Sequence, residues 1–114
     1  MSPPYWDAEY RELRVGQCVI KEYRVPSPNQ EAILVAFQEE GWPHHIHDPL
    51  TPQRDVEPKC RLHDTIKRLN RLHKERLIRF HGNGTGEGVC WEYVEAAVLA
   101  LPTDAEPNKL RFAA

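Results

Sequence analysis

Hydrophobic and polar positions alternate first in "ELRVGQCVIKEYRV", residues 12–25, where two β-leaning runs break at Gly16-Gln17 and predict a hairpin. The period changes in "SPNQEAILVAFQEEGW". Ser27 with Gln30 has capping-box spacing, Pro28 suits a first helical position, and Ile33, Leu34 and Phe37 form an apolar stripe ahead of Gly41. That pattern predicts a helix. Residues 42–57, with three prolines and few apolar positions, predict an irregular connector with room for one helical turn.

Apolar spacing returns in "PKCRLHDTIKRLNRLHK", predicting a second helix over 58–74 that opens on proline. At about 100° per residue, Leu62, Ile66, Leu69 and the ring of His73 share one face, with Leu72 at its edge. Lys67, Arg71 and Lys74 lie opposite, and Arg61 and Arg68 share a flank. "LIRFH" and "VCWEYV" then read as strands, with Ile78 and Phe80 on one face of the first and Val89, Trp91 and Tyr93 on one face of the second. The expected fold class is α+β: hairpin, helix, connector, basic helix, hairpin. Residues 1–11 and 102–114 are expected to be loose, leaving 12–101 as the folded domain.

With 114 residues, 40% of them hydrophobic and 28% charged, the chain suits one soluble domain with a modest core. No apolar run approaches the roughly 20 residues of a membrane span, and "MSPPYWDAEY" lacks the basic and apolar regions of a leader. A cytoplasmic protein with no membrane partner is expected. Cys18, Cys60 and Cys90 are odd in number and widely spaced, and read as reduced thiols.

Net charge is −2, which by itself argues against a polyanionic partner. Its distribution argues the other way. Residues 1–58 sum to −5, residues 59–81 to +6 and residues 82–114 to −3. A polyanion responds to the local field within a Debye length of about 10 Å. A solvated helix face is the plain alternative, but eight bases against two acids leave few i,i+4 partners to neutralise them.

"HGNGTGEGVCWEYV" sets Gly82, Gly84, Gly86 and Gly88 at alternate positions between strand-like runs. Neither a dinucleotide nor a P-loop spacing is met, and a strand follows where a phosphate site needs a helix N-terminus. The glycines therefore predict a long hairpin tip, either a plain turn or one that touches a partner.

Residues 63–94, "HDTIKRLNRLHKERLIRFHGNGTGEGVCWEYV", resemble the end of the DNA-binding effector domains of bacterial response regulators, which are winged helix-turn-helix domains. Arg68-Leu69 with Arg71, then Leu77-Ile78-Arg79, then Gly82 to Gly88 and Trp91/Tyr93 carry the resemblance, which spans about residues 12–94. It departs from that pattern at 42–57, where the prolines are incompatible with a regular middle helix.

The resemblance implies non-catalytic binding of double-stranded DNA in transcription regulation, with helix 58–74 in a major groove and 82–88 as wing. His63, Asp64 and Lys67 would face base edges. Lys59, Arg61, Arg68, Arg71, Lys74 and Arg76 would contact phosphates, and Asn83 and Thr85 the backbone or minor groove. A homodimer or a tethering protein would add the affinity that one small domain lacks. The alternative is a winged-helix protein-interaction module whose basic face docks an acidic partner.

Other chemistry is sparse. His44, His45, His47 and Asp48 are zinc-type ligands, yet adjacent His44-His45 point apart and no second ligand pair is evident, so neither a metal nor a cofactor is expected. Cys60 and His63 share a helix without other catalytic partners. His63, His73 and His81 can add charge below about pH 6.5, although His73 reads better as a packing residue. Trp6, Trp42 and Trp91, with Phe37 and Phe80, read as core or core-edge residues, and of them only Trp6 and Trp42 are open to a base-stacking role.

Overall fold

The computed structural model describes residues 2–94, so the expected tail 102–114 and the end of the expected domain lie outside the described residues. Two three-stranded antiparallel sheets and two helices make up a small α+β fold. The predicted N-terminal hairpin is present as β2 (Glu12–Val15) and β3 (Cys18–Glu22), turning at Gly16 with φ +59°. It is joined by a strand the sequence pattern missed, β1 (Pro4–Asp7), in the order β1-β2-β3. Residues 1–11 are therefore not loose as a whole: Trp6 pairs with Leu13 and is buried, and Pro4 sits where a proline is tolerated, first in an edge strand.

α1 (Pro28–Glu39) buries Ile33, Leu34 and Phe37 as its stripe predicts. Its capping box does not form. Ser27 makes no side-chain cap; its N–H donates instead to the Glu31 carboxylate at 2.8 Å, while Gln30 turns away to accept from the Tyr23 hydroxyl, also at 2.8 Å. Arg11 holds Glu31 from the other side at 2.6 Å.

Within the proline-rich connector lies β4 (His45–His47), which pairs with β6 (Gly88–Tyr93); β5 (Ile78–Gly82) lies on the far side of β6. The order β4-β6-β5 leaves β5 as an edge beside α2 (Pro58–Leu69). A single core joins both sheets and both helices. At its centre Trp42 stacks on Phe37 (4.9 Å, 6°) and meets Trp91 edge-on (6.0 Å). Gln38 accepts from the Trp42 indole at 2.7 Å, and the Pro43 carbonyl accepts from the Trp91 indole at 2.8 Å, so neither buried N–H is orphaned. Each large side chain buried there contributes about 1.5–3 kcal/mol relative to exposure.

The basic helix is shorter than predicted, ending at Leu69 rather than residue 74. Its end is fixed from outside. Buried Lys21, on β3, donates to the Arg68 carbonyl at 2.6 Å, and the half-buried ring of His73 bonds the Leu69 carbonyl at 2.6 Å. Leu72 then takes φ +59° and turns the chain, leaving its side chain 88% exposed instead of at the core edge. Among the described residues, no helix is long and apolar enough to cross a membrane.

Candidate nucleic-acid interface

α2 begins with Pro58 in its first turn and Glu57 as its cap, the Glu57 carboxylate accepting from the N–H groups of Lys59 (2.7 Å) and Cys60 (3.3 Å). An acid already occupies that positive helix end, so an anion finds side chains there rather than free amides. Leu62, Thr65, Ile66 and Leu69 face inward, with the Thr65 hydroxyl donating to the Arg61 carbonyl at 2.7 Å. Outward lie Lys59, His63, Asp64, Lys67 and Arg68, with Arg71 and Arg76 following in the exposed turn.

The eight bases of the segment separate into three kinds. Lys59, Lys67, Arg68, Arg71 and Arg76 are exposed and have no carboxylate within ion-pairing distance among the described residues. Lys74 is paired with Glu22 at 2.8 Å, and Arg79 with Glu92 across the hairpin. Arg61 is half buried on the α1 side, its Nε without a partner. Because the helix ends early, Arg71 and Lys74 do not share the helical face on which the apolar period places them.

The glycine loop is ordered by its own side chains. Asn83 Oδ1 accepts from the Thr85 N–H (3.0 Å) and hydroxyl (2.6 Å), and Thr85 Oγ1 accepts from the Glu87 N–H at 3.0 Å. With Oδ1 so oriented, Asn83 Nδ2 meets His45 Nε2 at 3.0 Å. Asn83 and Thr85, expected as nucleic-acid contacts, thus commit their polar groups to the turn. Nor does the tip stand clear of the domain: a Cβ on Gly86 would lie 2.8 Å from Lys59 Cδ, so the loop rests on the first turn of α2. The Glu87 carbonyl also accepts from Asp48 N–H at 2.8 Å.

Between α2 and this loop is a half-open groove of about 460 Å³. Leu62, Ile66 and Phe80 form its floor; Lys59, His63, Lys67, His81 and bare glycine backbone form its walls. No carboxylate lines it.

Lys21 anchors the rear of α2. Burial, with repulsion from Arg71, lowers its pKa to about 8, while its ammonium also lies 5.2 Å from the centre of the Tyr23 ring. Burial and the Glu31 charge push Tyr23 far above its usual range. Burial likewise lowers His73, helped by Lys21 and Arg76 and opposed by its bond to Leu69, so it is a poor source of extra charge in mild acid. Nothing in the local pattern marked Lys21 or Asn70 as positioning residues, because both act on distant backbone.

The remaining candidates do not converge. His44 stacks on Trp91 at 4.9 Å, His45 and His47 share one side of β4, and Asp48 accepts from the Leu50 N–H. Among the described residues no three His, Cys, Asp or Glu side chains are placed to hold one metal ion. Cys60 is exposed, beside Glu57, Arg61 and Asp64, with no side chain among the described residues placed to activate it as a nucleophile. Trp6 and Trp42 are only 4% and 6% exposed, which removes them as stacking platforms. No family model matches the chain, and neither curated proteins nor solved structures give a match.

Proposed function

We propose that this protein binds double-stranded DNA without catalysis, as a winged-helix domain in cytoplasmic gene regulation, with the outer face of α2 toward the major groove. The observation that carries the reading is the set of five exposed cations, Lys59, Lys67, Arg68, Arg71 and Arg76, that lack carboxylate partners among the described residues. The passage from α2 into edge strand β5, and the order β4-β6-β5, support a winged arrangement. His63, Asp64 and Lys67 are the base-edge candidates, and the remaining free cations position phosphates. Lys74, Asn83 and Thr85, already engaged with groups of the domain itself, contribute less to the interface.

Salt titration tests this reading. Four neutralised phosphates, at Lys59, Arg68, Arg71 and Arg76, give a slope of log K against log salt near −3.6, at about −0.9 per phosphate. The triple variant Lys67→Ala, Arg68→Ala, Arg71→Ala should lose duplex binding and keep its fold; undiminished binding would refute the assignment. A second reading, docking of an acidic protein, is favoured by exposed Leu72 (88%) and Val25 (71%) beside Arg24, Arg68 and Arg71. Duplex affinity absent at about 50 mM salt would select it.

A further inference from the structure

We propose that the groove between α2 and the β5–β6 loop binds a free mononucleotide, its base on the apolar floor and its phosphate held by a groove lysine. The space, about 460 Å³, lies within the roughly 300–1,000 Å³ of small-ligand sites and joins an apolar floor to a few polar groups. Leu62 and Phe80 are almost wholly buried beneath it, so the floor is rigid. Its charge has one sign: Lys59 and Lys67 stand two helical turns apart, about 12 Å along the axis, and no carboxylate faces them. An anion with a flat apolar body matches that combination, and a bare anion leaves the floor unused.

The hydrogen-bonding groups favour a heterocycle over a plain aryl ring. His63 lines the groove with an imidazole, while the His81 ring turns to the Gly82 carbonyl and toward Glu92 on the other face of β5. Strand alternation turns the backbone groups of Phe80 and Gly82 to the free edge of β5. Asn70 takes both of those on Phe80, and the Gly82 carbonyl meets the ring of His81 at 2.8 Å. By the same alternation the Gly82 N–H points to that free edge, where it can donate to a ring nitrogen or carbonyl.

Absent side chains keep the space open. Gly82 lies on the same face of β5 as Phe80, has no positive φ, and an added Cβ would meet only the Gly88 carbonyl, at 4.0 Å. A large residue at 82 is therefore tolerated by the backbone and fills the groove. The groove shares Lys59, His63 and Lys67 with the DNA reading, whereas Arg68 and Arg71 lie outside its lining and serve that reading alone.

The test follows the backbone amides of Gly82, Gly84, Gly86 and Gly88 by NMR during titration with adenosine 5′-monophosphate, adenosine and inorganic phosphate. The nucleotide should shift these amides with Kd below about 1 mM, and the other two should bind at least about tenfold more weakly. Gly82→Leu should abolish the shifts with both lysines in place, and Lys59→Ala/Lys67→Ala should weaken them about tenfold or more. Arg68→Ala/Arg71→Ala should bind the nucleotide normally even where duplex binding is lost, which separates the two readings. The proposal is overturned by nucleotide that leaves the glycine amides unmoved, by phosphate alone binding as well as the nucleotide, or by unchanged binding to Gly82→Leu.

Discussion

The side-chain amide of Asn70 pairs with both backbone groups of Phe80, Nδ2 donating to the carbonyl and Oδ1 accepting from the N–H, each at 2.8 Å. It acts as one residue of a missing neighbour strand. An edge strand presents unpaired backbone groups, and here the last residue before the turn after α2 covers one such pair. The same contact sets the helix against the hairpin. Asn70→Ala should cost about 1–3 kcal/mol, the penalty for leaving partly buried polar groups unmatched. Asn70→Asp, which cannot donate, should recover only part of that loss. Denaturant unfolding and amide exchange at Phe80 check both, and full stability in Asn70→Ala would show that water replaces the side chain.

Free and paired cations should separate in binding. Arg68→Ala should lower the magnitude of the salt slope by about 0.9, one phosphate contact. Lys74, engaged with Glu22 at 2.8 Å, should change it far less when replaced by alanine. Equal effects of the two substitutions on the slope would mean that the pairing does not withhold Lys74 from nucleic acid.

Lys21 carries a pH signature. Its folded pKa of about 8 lies below the ordinary 10.5, first because of burial and then because of Arg71. Between those values the unfolded chain holds more protons than the folded one, so this contribution to stability rises with pH across about 8 to 10.5. Below pH 8 the buried charge is a net cost. Tyr23, raised by burial and by Glu31, also favours folding's protonated form but loses stability above its ordinary value of 10. The useful readout is therefore wild type minus Lys21→Met. That difference should move toward wild type by about 1–2 kcal/mol over the window, a range moderated because Lys21 borders an open surface pocket. A flat difference from pH 7 to 10.5 would contradict the buried ammonium.

Two loop glycines should respond for different reasons. Gly84 has open space around it but φ +92°, so Gly84→Ala should cost about 1 kcal/mol through backbone strain alone. At Gly88 a Cβ would fall 2.4 Å from His45 Nε2 and 2.5 Å from Asn83 Nδ2. Gly88→Ala should therefore break the His45–Asn83 contact and loosen the tip. NMR shifts at His45 and Asn83, present in Gly88→Ala and absent in Gly84→Ala, distinguish the two mechanisms.

Local pattern was sufficient where the deciding interactions are themselves local. Pro58 and the spacing of Leu62, Ile66 and Leu69 make the inner face of α2, and Ile33, Leu34 and Phe37 do the same for α1. Gly16, Gly84 and Gly86 mark turns because those turns need backbone angles that other residues resist. The concentration of positive charge in 59–81 was also plain from the chain alone.

Tertiary structure decided the rest, since each remaining feature depends on partners far apart in the chain. Lys21 and Arg68, 47 residues apart, help close α2, and Asn83 and His45, 38 apart, hold the loop. β1 and β4 are too short to announce themselves by period, and form because neighbouring strands accept them. Which cations stay free was likewise settled by Glu22 and Glu92, whose proximity to Lys74 and Arg79 no spacing rule contains. Periodicity reports which way a side chain faces its own element; only packing determines what stands opposite.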